Sequence, residues 1–289
     1  MKVEEKLFQK KKSIDDELGR ILSQEDSLLF QVMRYAVFSG GKRFRPLLTL
    51  CSGEFFGVGL EVLLPFASAL ELIHNYSLIH DDLPSMDDDD FRRGKPSCHK
   101  MYGEDIALLA GDSLLTLAFE VLAQAPVEEE LLAQKEQVIK EISHFAGVRG
   151  MIGGQLMDIT LTSGEITEED LHELILKKTG ALIIVSVKTG AALGQASPSH
   201  LEAVVEYGRN IGLAFQIRDD ILDSNQEVQK EHLPRPNYVS FFGIAEAKRR
   251  LKNFVEGSKR ALDEANLESE ELHYLAMKLL ELKDKDEKE

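Results

Sequence analysis

His80-Asp81-Asp82-Leu83-Pro84-Ser85-Met86-Asp87-Asp88-Asp89-Asp90-Phe91-Arg92-Arg93 places six carboxylates within ten residues, with Arg92, Arg93 and Lys95 directly behind them. Upstream, Phe66, Leu70, Ile73 and Ser77 recur at spacings of three and four, the period of an apolar helix face, and the next position on that stripe is Asp81. A stripe that should face a core therefore ends in acid. The pattern recurs where Val204, Gly208, Ile211 and Phe215 lead to Asp219 and Asp223 within Asp219-Asp220-Ile221-Leu222-Asp223. Asp219 and Asp223 share a helix face, where like charges cost about 0.2–0.5 kcal/mol, and inward carboxylates cost far more unless paired. A divalent cation removes both penalties. Oxygen-only donor sets suit a hard ion, and magnesium commonly takes one or two carboxylates together with substrate phosphates. The expected arrangement is two acid walls facing each other across a helical bundle, with magnesium and a diphosphate between them. Asp88 to Asp90 read instead as a solvated run.

The 289 residues, 43% of them hydrophobic, can bury one large core or two small ones. No Pro/Gly/Ser linker divides them, so a single domain over 1–289 is expected. A net charge of −16 argues against a nucleic-acid partner, because phosphate backbones recruit basic surfaces. Cys51 and Cys98 are too few for a disulfide framework or a cysteine zinc site, which points to a reducing compartment. Met1 to Ile21 is charged throughout and lacks the apolar core of a signal peptide. The apolar run Val62 to Ile73 contains Pro65 and Glu71 and is too short to span a bilayer. A soluble cytoplasmic protein without stable membrane insertion is the expectation.

Alternating β-branched runs are nearly absent while helical periodicity recurs, so the fold class is all-α. Helices are expected at about 4–22, 27–38, 45–56, 59–82, 104–123, 128–145, 148–158, 167–194, 198–223, 241–265 and 269–283. Thr167 with Asp170 reads as a capping box, and Ser197-Pro198 as an N-cap followed by proline at the first helical position. Residues 224–238, with two prolines and two asparagines, read as a loop, and the charged tail 283–289 as frayed.

Gly40-Gly41-Lys42-Arg43-Phe44-Arg45-Pro46 is a turn opening a helix, with cations at the helix's positive end. It fits an anion cradle, and equally an ordinary surface turn. His74 lies two helical turns before Asp81, on the same face. Packing is the usual role of such a histidine; the alignment with Asp81 favours a ligand contact. Gly180, inside a long helical pattern, marks a kink or close approach that would aim Lys178 and Thr179 inward. Read alone, the segment is more simply an exposed lysine beside a tolerated glycine. Gln216, one turn before Asp219 and Asp220, either lines the same space or sits on a helix surface.

Seven stretches in this order resemble the trans-isoprenyl diphosphate synthases, most nearly the bacterial farnesyl diphosphate synthases. They are Gly-Gly-Lys-Arg-Phe-Arg-Pro at 40–46, His-Asp-Asp-Leu-Pro-Ser-Met-Asp at 80–87, Arg-Arg-Gly-Lys-Pro at 92–96, Leu-Ala-Gly-Asp at 109–112, Gly-Gly-Gln at 153–155, Lys-Thr-Gly at 178–180 and Phe-Gln-Ile-Arg-Asp-Asp-Ile-Leu-Asp at 215–223. The resemblance implies a bundle of long helices around a central cavity, usually a homodimer, with three magnesium ions between two aspartate motifs. It implies Asp81 and Asp87 as metal ligands with Asp82 in support, and Asp219 as a ligand with Asp220 and Asp223 behind it or acting through water. Arg92, Lys178, Thr179 and Gln216 would meet the allylic diphosphate, and Lys42, Arg45, His74 and Arg93 isopentenyl diphosphate.

On this reading the metal stabilises the departing diphosphate, the isopentenyl double bond attacks the allylic cation, and released diphosphate takes the proton. Tyr76, with Ser77 beside it, would limit chain length, its aromatic ring five residues before Asp81 resembling synthases that stop at farnesyl diphosphate. Plain core packing is the other reading of Tyr76. The family's lysine-bearing loop after the second motif is shorter here, and neither Lys230 nor Arg235 aligns with it. The arginine-containing C-terminal end common in the family is also not clear at Glu281 to Glu289. A geranylgeranyl diphosphate synthase and a non-catalytic partner subunit are the alternatives. A terpene cyclase is disfavoured by Lys42, Arg45 and Arg93 together, because it needs no isopentenyl site.

Overall fold

The computed structural model describes residues 2–161, 166–224 and 236–282. Long helices dominate it: α1 (Val3–Ile21), α2 (Leu28–Val37), α3 (Phe44–Phe55), α4 (Leu60–Asp81), then a ribbon of β1 (Phe91–Arg92) and β2 (Lys95–Pro96) leading into α5 (Cys98–Tyr102) and α6 (Glu104–Gln124). There follow α7 (Leu132–Ala146), α8 (Met151–Thr160), α9 (Glu168–Ile175), a π-helical turn (Leu176–Gly180), α10 (Ala181–Leu193), α11 (Pro198–Ser224), α12 (Tyr238–Phe242), α13 (Ile244–Glu264) and α14 (Glu270–Lys278).

Phe66, Leu70 and Ile73 are fully buried, as the stripe on α4 requires, and that helix is wrapped by α3 on one side and α6 on the other. From α3 the packing continues through α10 and α11 to α13. Apolar residues surround α10, so it is the central helix, the expectation for a segment hydrophobic on every face. The capping box of Thr167 and Asp170 forms at the start of α9, and the Ser197 hydroxyl caps α11.

Three expectations change. The helix foreseen over 167–194 is continuous in direction but widened to π geometry at 176–180, which divides it into α9 and α10. A two-stranded ribbon and two one-turn helices, α5 and α12, lie in segments read as irregular or as part of a neighbouring helix. The last helix stops at Lys278 rather than 283. Most of the 224–238 loop and the 283–289 tail lie outside the described residues, Lys230 and Arg235 among them.

α4 and α6 are both long and apolar enough to cross a membrane by length and composition. α4 is instead largely buried against other helices, whereas only 33% of the apolar stretch of α6 is buried.

Candidate active site

Asp81 is the last residue of α4. Beyond it the chain turns back: the Asp87 N–H donates to the Asp81 carbonyl at 2.9 Å and the Asp88 N–H to that of Leu83 at 3.2 Å. This brings Asp87 beside Asp81. Burial pushes the Asp81 carboxyl up to about 6, against the pull of Lys178 and with added repulsion from Asp87. Asp82 is buried and accepts two hydrogen bonds from the Arg92 guanidinium, from Nε at 2.9 Å and from NH2.

At the end of α11, burial pushes Asp219 up to about 7, against the pull of Arg218 and with repulsion from Asp223 and Asp220. Its side chain nevertheless stays 40% exposed, open to an ion arriving from solvent. Asp220 is buried and accepts from the Tyr238 N–H at 2.7 Å and from Gln216 Nε2 at 2.8 Å; burial raises it to about 6. Gln216 Oε1 in turn accepts from the Thr179 hydroxyl at 2.7 Å. The Thr179 proton is thereby committed to Gln216 and its lone pairs are turned elsewhere. Asp223 is exposed at the rim.

The two acid ends are joined by a third wall. Lys178, on the π turn, donates to Asp158 of α8, a buried carboxylate near enough to Asp220 to raise it, while the same lysine acts on Asp81. Two missing side chains allow this. A Cβ on Gly154 would lie 2.2 Å from the Lys178 backbone nitrogen, and one on Gly212 would lie 2.7 Å from the Gly180 Cα. The backbones of α8, the π turn and α11 therefore touch. Gly154→Ala is expected to push α8 off the turn, costing about 1–3 kcal/mol as overpacking does. It should also separate Asp158 from Lys178, which a lowered melting temperature together with lost turnover would report.

A cluster of cations lies alongside. The Arg45 Nε is buried with no hydrogen-bond partner, and desolvation lowers this guanidinium to about 10, opposed by Glu71 and Asp219 and aided by Arg93. Arg93, at the turn of the ribbon, donates to the Gly40 carbonyl and lies where a Gly41 Cβ would be. Burial holds the His74 imidazole well below its usual range, and Arg45, Arg93, Arg43 and Arg92 push it the same way. His74 is thus a neutral group among guanidinium ions. Arg43, expected with the other cations of the 40–46 turn, stands apart from them: in left-handed conformation ahead of α3, it is buried on Asp15 and Glu71, both at 2.8 Å. Lys42 is exposed and acts on Asp219. Phe44 packs on Phe215 with ring centroids 5.3 Å apart, joining this turn to α11.

Tyr76 is 5% exposed, its hydroxyl buried without a partner and pushed up to about 12 by burial and then by Asp81. Ser77 beside it turns its hydroxyl back onto its own helix, donating to the His74 carbonyl. Sequence reasoning missed Asp158, Tyr238 and the side chain of Gln155, whose two polar atoms are buried without partners. Asp158 had one signal: it follows Gly154 by four residues and so shares its helix face.

The acid ends form no closed cage. No three of Asp81, Asp82, Asp87, Asp219, Asp220 and Asp223 have ligand atoms within 4.8 Å of one another. Oxygen-only donors, raised by burial and held apart, fit hard cations that complete their shells with a polyanion rather than with protein alone. A cleft of about 570 Å³ between α1, α3 and the start of α14 contains none of these groups.

An all-α bundle with acid-tipped helices and an adjoining cation cluster is the architecture of the isoprenoid synthases. The chain belongs to the polyprenyl synthetase family, whose model matches residues 26–234. It is 39% identical over 268 residues to a geranylgeranyl diphosphate synthase of Cyanophora paradoxa, covering 89% of this chain and 88% of that one. It is 37% identical over 285 residues to the farnesyl diphosphate synthase of Geobacillus stearothermophilus, covering 95% and 96%. Among solved structures, a geranyltransferase from Legionella pneumophila superposes with a TM-score of 0.86 at 33% identity, covering 96% of each chain.

Proposed function

We propose that this chain condenses isopentenyl diphosphate with dimethylallyl or geranyl diphosphate, releasing diphosphate, with farnesyl diphosphate as the main product. The observation carrying this reading is the juxtaposition of two unlike anion sites. One is made of acids and calls for metal; the other is made of Arg45 and Arg93 around neutral His74, with Lys42 on the side of Asp219, and calls for none. A reaction that joins two diphosphate esters, only one of which ionises, needs that asymmetry.

Asp81, Asp87 and Asp219 would hold magnesium, which supplies charge neutralisation to the leaving diphosphate. Asp82 and Asp220 act behind them, one orienting Arg92 and the other Gln216. Lys178 and Arg92 bind the allylic diphosphate oxygens. Thr179, whose proton is held by Gln216, turns lone pairs toward the allylic carbon as positive charge develops there. Arg45, Lys42 and Arg93 fix the isopentenyl diphosphate, and His74, held neutral by burial, adds no charge of its own beside them. The proton lost after the new C–C bond forms passes to a diphosphate oxygen.

The 39% identity to a geranylgeranyl diphosphate synthase favours a second reading, the twenty-carbon product. Incubation with isopentenyl diphosphate, each allylic diphosphate and magnesium, followed by sizing of the dephosphorylated alcohols, decides between them. Absence of any condensation would overturn both and favour a non-catalytic partner subunit.

The protein is proposed to act in the cytoplasm as a homodimer. Cys51 and Cys98 are free and buried, in keeping with a reducing compartment. α6 is apolar along its length yet leaves Leu108 and Leu109 exposed, as an interface helix does. Leu109→Glu is expected to shift the dimer toward monomer, read by light scattering on a sizing column.

A further inference from the structure

Beside the proposed active site lies a cluster that the reaction does not use. We propose that Asp88, Asp90 and His99 form a separate site for a first-row divalent cation of the manganese, cobalt or zinc class. The ligand atoms of the three lie within 4.8 Å of one another. His99 is 7% exposed, and its Nε2 is buried without a hydrogen-bond partner, 3.9 Å from an Asp88 oxygen. Its Nδ1 is within 3.0 Å of the buried Ser97 hydroxyl.

That contact decides the chemistry. If Nδ1–H donates to Ser97, Nε2 carries a lone pair directed at carboxylate oxygens, a repulsive arrangement that a cation turns into coordination. A histidine oriented through its other nitrogen is the usual form of a metal ligand. If Nε2 carries the proton instead, it reaches Asp88 only at 3.9 Å, too far for a hydrogen bond. Either tautomer leaves the ring nitrogen unsatisfied without an ion. Lys100 pairs with Asp90 Oδ1 at 2.8 Å, which leaves Oδ2 to the ion and offsets part of the acidic charge. An imidazole with two carboxylates suits first-row ions better than magnesium, so the site is chemically distinct from the oxygen-only acids of α4 and α11.

Position gives the site a role. Asp88 and Asp90 precede β1 and His99 follows β2, so one ion would fasten both ends of the ribbon, which the Ser97 N–H bond to the Asp90 carbonyl at 2.9 Å already draws together. That ribbon carries Arg92 and Arg93; an effect on substrate binding rests on the function proposed above, whereas ion binding does not.

The test uses the full chain, stripped with chelator and titrated with cobalt(II) in excess magnesium. One tightly bound equivalent per chain, with a visible ligand-field absorption band and a raised melting temperature, is expected. Asp88→Asn, at an exposed position, and His99→Gln should each weaken that binding by about tenfold or more, and Asp81→Asn should leave it intact. If His99→Gln does not fold, Asp88→Asn carries the test alone. Absence of cobalt binding under excess magnesium overturns the proposal. So does an equivalent that survives Asp88→Asn but is lost in Asp81→Asn.

Discussion

Asp219→Asn is expected to lower kcat by about 10³-fold, roughly 4 kcal/mol of transition-state stabilisation, the scale of removing one group that offsets developing charge. It should also stabilise the metal-free protein at neutral pH. The folded carboxyl titrates near 7, above its ordinary 3.8, because burial disfavours the charged form. Between those values the folded state binds more protons than the unfolded one, so stability falls as pH rises through that window. Asp81 and Asp220, both near 6, add to the same slope. The metal-free wild type should therefore melt at a lower temperature at pH 8 than at pH 5. Asparagine at 219 should recover part of the difference, each kcal/mol being worth roughly 2–4 °C. Magnesium with inorganic pyrophosphate should reverse the order, raising the wild type and not the variant. Loss of kcat with a lowered metal-free melting temperature at pH 8 would show instead that Asp219 is a structural residue.

Tyr76→Ala is expected to move the main product from fifteen to twenty carbons. The ring is almost wholly enclosed and meets His80 edge-on at 5.7 Å, so truncation opens space below Asp81 that no other side chain fills without moving. Left empty, that space costs about 3–5 kcal/mol; a longer prenyl chain occupying it offsets part of the loss. Tyr76→Phe keeps the ring and removes a hydroxyl that has no partner. It should leave product length unchanged and stability equal or higher. A folded Tyr76→Ala protein that still makes the fifteen-carbon alcohol would put the floor elsewhere.

The long helices were legible because their apolar period runs for many turns; α4 and α11 begin and end within a residue of expectation. The ribbon was not. Its strands are two residues each, too short to alternate, and its turn, Arg93-Gly94, takes positive φ at both residues without the usual Asn-Gly signal. Gly180 announced an irregularity but not its kind, since a π turn differs from a kink only in which carbonyl each N–H finds. The acid motifs were legible as motifs, but neighbouring aspartates look alike on paper. Only folding shows that Asp82 is committed to Arg92 and Asp220 to Gln216 and Tyr238. Likewise Arg43 looks like Arg45 in sequence. Asp15 and Glu71, distant in the chain, neutralise the first and leave the second to seek an anion.

The bond from the Tyr238 N–H to Asp220 pins the chain just past residues 225–235 to the helix that precedes them. Both anchors are thus set by α11 itself, one at its last residue, Ser224, and one through Asp220. Doubling the length of a chain connection between two fixed points adds only about 0.6 kcal/mol of closure entropy. A lineage can therefore change the number of residues between these two anchors while the carboxylates of α11 keep their positions.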